Sequence, residues 1–231
     1  MVWNNLRQPE KALTASARAL AIAQFVQEPR AIGLALLEVG EALRRLATSN
    51  DPLNTGESTE DIYREAADVL QQAYELFSDP ESSVSNERIR RIEAALELGS
   101  LYRDWVAFIP SDGIPSDIWQ QRQDNADYYL QEAIDLAHEL NLAHMELDAL
   151  VNMAWTYYHV GQWDKTESLL QKAEESLIPA EARLREGEIP PNPYDHPNFL
   201  FKQLSKIYSL KGANCWQTVP TGRRSLNRNT T

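Results

Sequence analysis

Apolar residues recur along this chain at three- and four-residue intervals. Ala12, Ala15, Ala19, Ala23 and Val26 form one such stripe, and Ile62, Ala66, Val69, Leu70 and Ala73 form another. That spacing places side chains on one face of an α-helix. No comparable alternation of apolar and polar residues marks a strand. The pattern breaks at Glu28-Pro29, Ser49-Asn50-Asp51-Pro52, Ser78-Asp79-Pro80, Pro110-Ser111-Asp112-Gly113 and from Gly187 to Pro197, a stretch with four prolines. Proline removes a backbone donor and closes off helical dihedrals before it. The sequence therefore predicts eight helices, over 9–27, 31–48, 59–77, 85–107, 117–140, 142–160, 163–177 and 198–212, with a short helical turn over 179–186.

The small and large residues of these helices return in one register. In the stretch Leu150 to Ala173, Met153, Ala154 and Tyr157 precede Gly161, and Thr166, Leu170 and Ala173 follow it. Val39-Gly40 and Leu43 stand to Ala66, Leu70 and Ala73 in the same order, and Leu98-Gly99 and Tyr102 to Ala126, Leu130 and Ala133. Leu204-Ser205, Tyr208 and Gly212 supply a further first helix, and Ala12, Ser16 and Ala19 a further second helix. This pattern resembles the tetratricopeptide repeat, a helix–turn–helix unit of about 34 residues. Thr166 stands where the family usually has alanine. The resemblance implies an all-α, right-handed superhelix over residues 1–212, with about three full repeats and a half repeat at each end. Small residues let the two helices of a unit approach closely, while Leu and Tyr fill the spaces between units.

The spacing also departs from the family. Ala154 and Thr166 lie 12 positions apart, but Gly40 and Ala66 lie 26 apart and Gly99 and Ala126 lie 27 apart. Polar insertions around 49–59 and 108–118 are expected to project as loops. Lengthened repeats of this kind resemble those of bacterial regulators and signal-transduction ATPases. Half repeats would expose apolar surface, so a fragment of a longer protein, a truncated product, or a homo-oligomer covering these faces is expected.

Charge refines this picture. The 231 residues carry a net charge of −12, with 43% hydrophobic residues. The six basic residues Lys202, Lys206, Lys211, Arg223, Arg224 and Arg228 fall after residue 197, where there is no acidic residue. Residues 213–231 read as a disordered basic tail. Cys215 is the single cysteine, so no intramolecular disulfide or multi-cysteine metal site can form. The N-terminus lacks the apolar run of a secretion signal, and no window resembles a membrane span. The chain is expected to be cytoplasmic, without a membrane partner.

In the tetratricopeptide family the ligand is usually a peptide lying along the first helices. The register transfers that role to Glu41, Arg44 and Arg45, then to Glu93, Glu97, Arg103 and Asp104, then to Asp148, Asn152, Trp155, Tyr158 and His159, and finally to Lys202, Gln203 and Lys206. The family's Lys/Asn/Arg carboxylate clamp is absent: Leu37, Glu41, Glu97 and Asp148 occupy its places and only Asn152 conforms. A protein or peptide partner of basic or mixed charge is implied. The chain has no phosphate-cradling glycine loop, Gly-x-Ser-x-Gly elbow or His-Glu-x-x-His pair, so neither catalysis nor a cofactor or metal is expected. Asp135-x-x-His138 is half of a carboxylate-bridged metal motif that would need its counterpart. The function expected is a noncatalytic protein-interaction scaffold. The alternative is a nucleic-acid-associated regulatory segment acting through the basic tail, which the acidic body disfavours.

Overall fold

The computed structural model describes residues 8–49, 58–109, 113–185 and 205–213, with side chains in the seventh helix described to residue 177. The described residues are helical and turn, without a strand: α1 (Pro9–Val26), α2 (Pro29–Ala47), α3 (Thr59–Ser78), α4 (Arg88–Ala107), α5 (Ser116–Glu139), α6 (Ala143–His159), α7 (Trp163–Arg185) and α8 over 205–213. No described helix is long and apolar enough to cross a membrane.

Local chemistry sets the helix ends. Pro29 opens α2, and the Glu28 carboxylate accepts from the Arg30 and Ala31 amides. Ser58 Oγ accepts from the Asp61 amide at the start of α3. These contacts occupy donors that a helix start leaves without intrahelical partners. Three helices end in the same left-handed turn, at Gln27, Asn141 and Gly161. The next amide reaches back five residues in each, from Glu28 to Ala23 O, Leu142 to Ala137 O and Gln162 to Tyr157 O. This geometry favours glycine, yet two of the three turns use other residues. The stop expected near 177 does not occur, since α7 continues to Arg185 and absorbs the turn expected over 179–186. Pro179 removes one rung of the helix, but the strong helix formers Ala180, Glu181, Ala182 and Arg183 continue it.

Consecutive helices from α1 to α7 pack on one another, and α2, α4 and α6 also approach closely in turn, whereas α3 and α5 meet through long side chains: Tyr74 packs on Tyr129, the Tyr129 hydroxyl donates to Gln71 and Arg122 pairs with Glu60. Helices α2, α4 and α6 thus form one closely spaced layer, and α3 and α5 lie on the other side at a wider spacing that their long side chains bridge. Within a unit the approach is close enough to require glycine. A Cβ on Gly40 would lie 2.4 Å from Leu70, and one on Gly99 would lie 2.5 Å from Leu130. Ala154, Leu170 and Ala173, the equivalents in the third unit, are fully buried, as are Ala66, Ala73, Ala126 and Ala133. Thr166 is also fully buried, its hydroxyl donating at 3.1 Å to the O of Gln162, the residue just before α7.

One core cluster runs through α2 to α6, with Phe77, Leu70, Ile92, Leu98, Leu101 and Leu130 at its centre. A smaller one joins α6, α7 and α8 through Leu147, Val151, Leu170, Ile207 and Leu210. Tyr208, expected to fill a space between units, is instead 58% exposed, because no described second helix packs on α8.

Candidate functional site

The positions assigned to ligand contact lie along the first-helix layer, and most of the charged ones contact each other. Arg44 on α2 crosses to α4 and meets Glu97 at 3.0 Å and Asp104 at 2.8 Å. Arg103 on α4 holds the other oxygen of Asp104 and donates to Asn152 on α6. Asp148, one turn before Asn152, accepts from Lys206 on α8 at 2.6 Å. An ionic ladder therefore runs across four first helices. Its rungs repeat: Arg44 and Arg103 each stand four residues after a packing glycine, and each reaches a residue two before the small residue of the next unit, Glu97 before Gly99 and Asn152 before Ala154.

Glu41 pairs with Arg45 and Glu93 with Arg90 on their own helices. Lys202 and Gln203 lie outside the described residues, as do Cys215 and positions 214–231. Packing takes up some of these positions: Asn152 is buried, and the Arg44 side chain is only 13% exposed. Long side chains on neighbouring first helices reach each other before they reach solvent.

The electrostatics follow from this pairing. Burial opposes the Arg44 charge, but Glu97 and Asp104 outweigh it and raise its pKa above the ordinary value. Burial also pushes Asp104 upward, yet Arg103 and Arg44 prevail and hold its carboxyl below the usual range. Glu97 goes the other way: burial, with Glu41 and Asp148 nearby, raises it in spite of Arg44. The four bases Arg44, Arg45, Arg103 and Lys206 face the four acids Glu41, Glu97, Asp104 and Asp148, so the ladder is close to neutral as a whole.

The aromatic members form a separate group at the C-terminal end of α6. Trp155 packs edge-on against Tyr158 at 5.4 Å between ring centres and stacks on His159 at 5.7 Å. Tyr158 meets Trp163 edge-on at 5.3 Å. Trp163 was absent from the sequence-derived set. It arrives because the left-handed turn at Gly161 folds the start of α7 back beside Tyr158. The Gly-x-Trp spacing after the helix was the available signal. Desolvation among the rings, then the positive charge of Arg103, lowers the His159 pKa, leaving a neutral imidazole at neutral pH. The three larger rings are half-buried and His159 is exposed.

A second aromatic run closes the space between the first two full units. Tyr63 stacks on Trp105, Trp105 on Tyr102 and Tyr102 on Tyr129. Arg122 lies 4.3 Å over the Trp105 ring and pairs with Glu60 at 2.5 Å. Its side chain is 6% exposed, and its Nε and Nη1 have no hydrogen-bond partner. These residues belong to the packing between units. Among the described residues no three His, Cys, Asp or Glu side chains gather as a metal site, and His138 faces Glu146 rather than a second carboxylate motif. No protein-family model matches the chain and no curated protein matches it.

Proposed function

We propose that this chain is a noncatalytic helical-repeat scaffold of the tetratricopeptide type, coiled as a right-handed superhelix, that binds a peptide segment of a partner protein along α2, α4 and α6. The recurring close approach of Gly40 to Leu70 and Gly99 to Leu130 supports the repeat reading, as does the close approach of α2, α4 and α6 to one another while α3 and α5 meet at a wider spacing through long side chains. Such a layer bends toward its more closely spaced side, where a peptide can touch several units at once.

The observation that carries the reading is the Trp155, Tyr158, His159 and Trp163 group beside the ladder. The charged side chains neutralise one another and stiffen the layer. Recognition energy then falls to the aromatic group, because large rings bury much area at low conformational cost. The partner expected is a peptide with an aromatic or large apolar anchor and polar flanks that exchange hydrogen bonds with the Arg103–Asn152 end of the ladder. Panning a displayed peptide library against the full chain and against Trp155→Ala tests this. An enriched peptide family should lose at least tenfold in affinity on Trp155→Ala. No enrichment, or equal binding by both proteins, refutes it.

A further inference from the structure

The first-helix face is not the only surface with unspent apolar area. Of the described large apolar side chains that are exposed, three lie together near the end of α1: Ile22 at 64%, Phe25 at 87% and Val26 at 58%. Ile22 and Val26 border an apolar groove of about 580 Å³ between α1 and α2, lined also by Ala15, Ala19, Leu34 and Ala35 among others. Glu38 is the single charged residue in its lining. We infer that this face pairs with the same face of a second copy, the two α1 helices running antiparallel.

The choice of a second copy rests on self-complementarity. A two-fold interface needs one patch that carries both projections and hollows. Here the alanines of α1 make the hollow and Ile22 and Val26 make the ridge on one stripe. The stripe Ala12, Ala15, Ala19, Ile22, Val26 alternates steps of three and four, the seam along which two helices interdigitate. In an antiparallel pair two registers are available. One sets Ala12 against Ile22 and Ala15 against Ala19 of the second copy, and it brings the exposed Arg18 of each copy onto its counterpart, a like-charge contact. The other sets Ala15 against Val26 and Ala19 against Ile22. It places Arg18 over Phe25 of the second copy, so that a cation covers an aromatic face. Charge therefore selects the second register.

Size sets the strength. An 18-residue helix is about 27 Å long. With the edge of α2, one face of a helix of this length makes an interface at the small end of the specific range. The dimer should accordingly form and dissociate with concentration in the micromolar range.

The test uses the full chain with Cys215→Ser, so that introduced cysteines are the only ones. Mixing Ala15→Cys with Val26→Cys should give an oxidised heterodimer in several-fold excess over either variant alone. Light scattering on the protein without added cysteines should show twice the 26.3 kDa chain mass at high concentration, and Phe25→Glu should abolish it with helicity unchanged. A monomer at every concentration overturns the inference, as does Ala15→Cys cross-linking to itself or a dimer indifferent to Phe25→Glu. A monomer that dimerises only after residues 1–7 are removed means that the chain's own N-terminal segment holds the face, and this also overturns it. Loss of peptide binding at Trp155 would leave all these readouts unaffected.

Discussion

Gly40 provides the sharpest test of the close-packed units. In Gly40→Ala the new Cβ would lie 2.4 Å from both Cγ and Cδ2 of Leu70, whereas ordinary contact begins at 3.4 Å. Leu70 must retreat by about 1 Å, and it is fully buried in a filled core. Overpacking of this kind costs about 1–3 kcal/mol, and the gain in helix propensity from glycine to alanine offsets about 1 kcal/mol. The net loss expected is about 0–2 kcal/mol. Gly99→Ala should cost at least as much, because the new Cβ also meets the Leu130 backbone nitrogen at 3.2 Å, which cannot swing aside. Gly212 has nothing within 4 Å, so the same substitution there should stabilise by about 0.4–1 kcal/mol. Urea unfolding followed by far-ultraviolet circular dichroism measures all three. Leu70→Ala opens space for the Cβ, so the double variant Gly40→Ala/Leu70→Ala should be about 1–3 kcal/mol more stable than the two losses added together. If Gly40→Ala behaves like Gly212→Ala, or if the double variant is additive, the two helices do not meet as described.

Two further outcomes follow from the charged contacts. Glu60→Ala should destabilise by about 3 kcal/mol, because Arg122 would remain buried without its carboxylate, while Arg122→Met should stay within about 1 kcal/mol of the wild type; chemical denaturation that ranks them the other way would show that Arg122 is solvated instead. Asp104 has a folded pKa below its ordinary value, so its contribution is fully present above about pH 4 and is lost as pH falls through the lower folded value. Asp104→Asn should therefore have a flatter acid limb than the wild type in unfolding midpoints measured below about pH 4, and parallel limbs would disprove the pairing with Arg103 and Arg44.

Part of this ladder was legible in the sequence. Arg44 and Arg103 recur at one offset from Gly40 and Gly99, and Glu97 and Asn152 recur at another from Gly99 and Ala154. Reading those offsets between units, rather than treating each position as a separate groove contact, would have paired them. Thr166 was legible as a small-residue place and is fully buried there. The turns at Gln27 and Asn141 were legible only as boundaries, since neither residue is the glycine that a left-handed turn favours. Trp163 was missed because it opens a second helix, outside the first-helix register, and only the fold of the Gly161 turn sets it beside Tyr158.

By itself the sequence determined the helices, most of their boundaries and the residues that bury where two helices of a unit cross. These depend on periodicity and on side-chain volume, both of which are local properties that chain order carries directly. Tertiary structure alone decided which exposed-looking charges remain available. Whether Arg44 meets solvent or Glu97 depends on the distance between helices more than fifty residues apart, and composition does not encode that distance. The same holds for α1: its alanine stripe is written in the sequence, but the groove beside Ile22 and Val26 exists only because α2 packs along one side of it and leaves the other open.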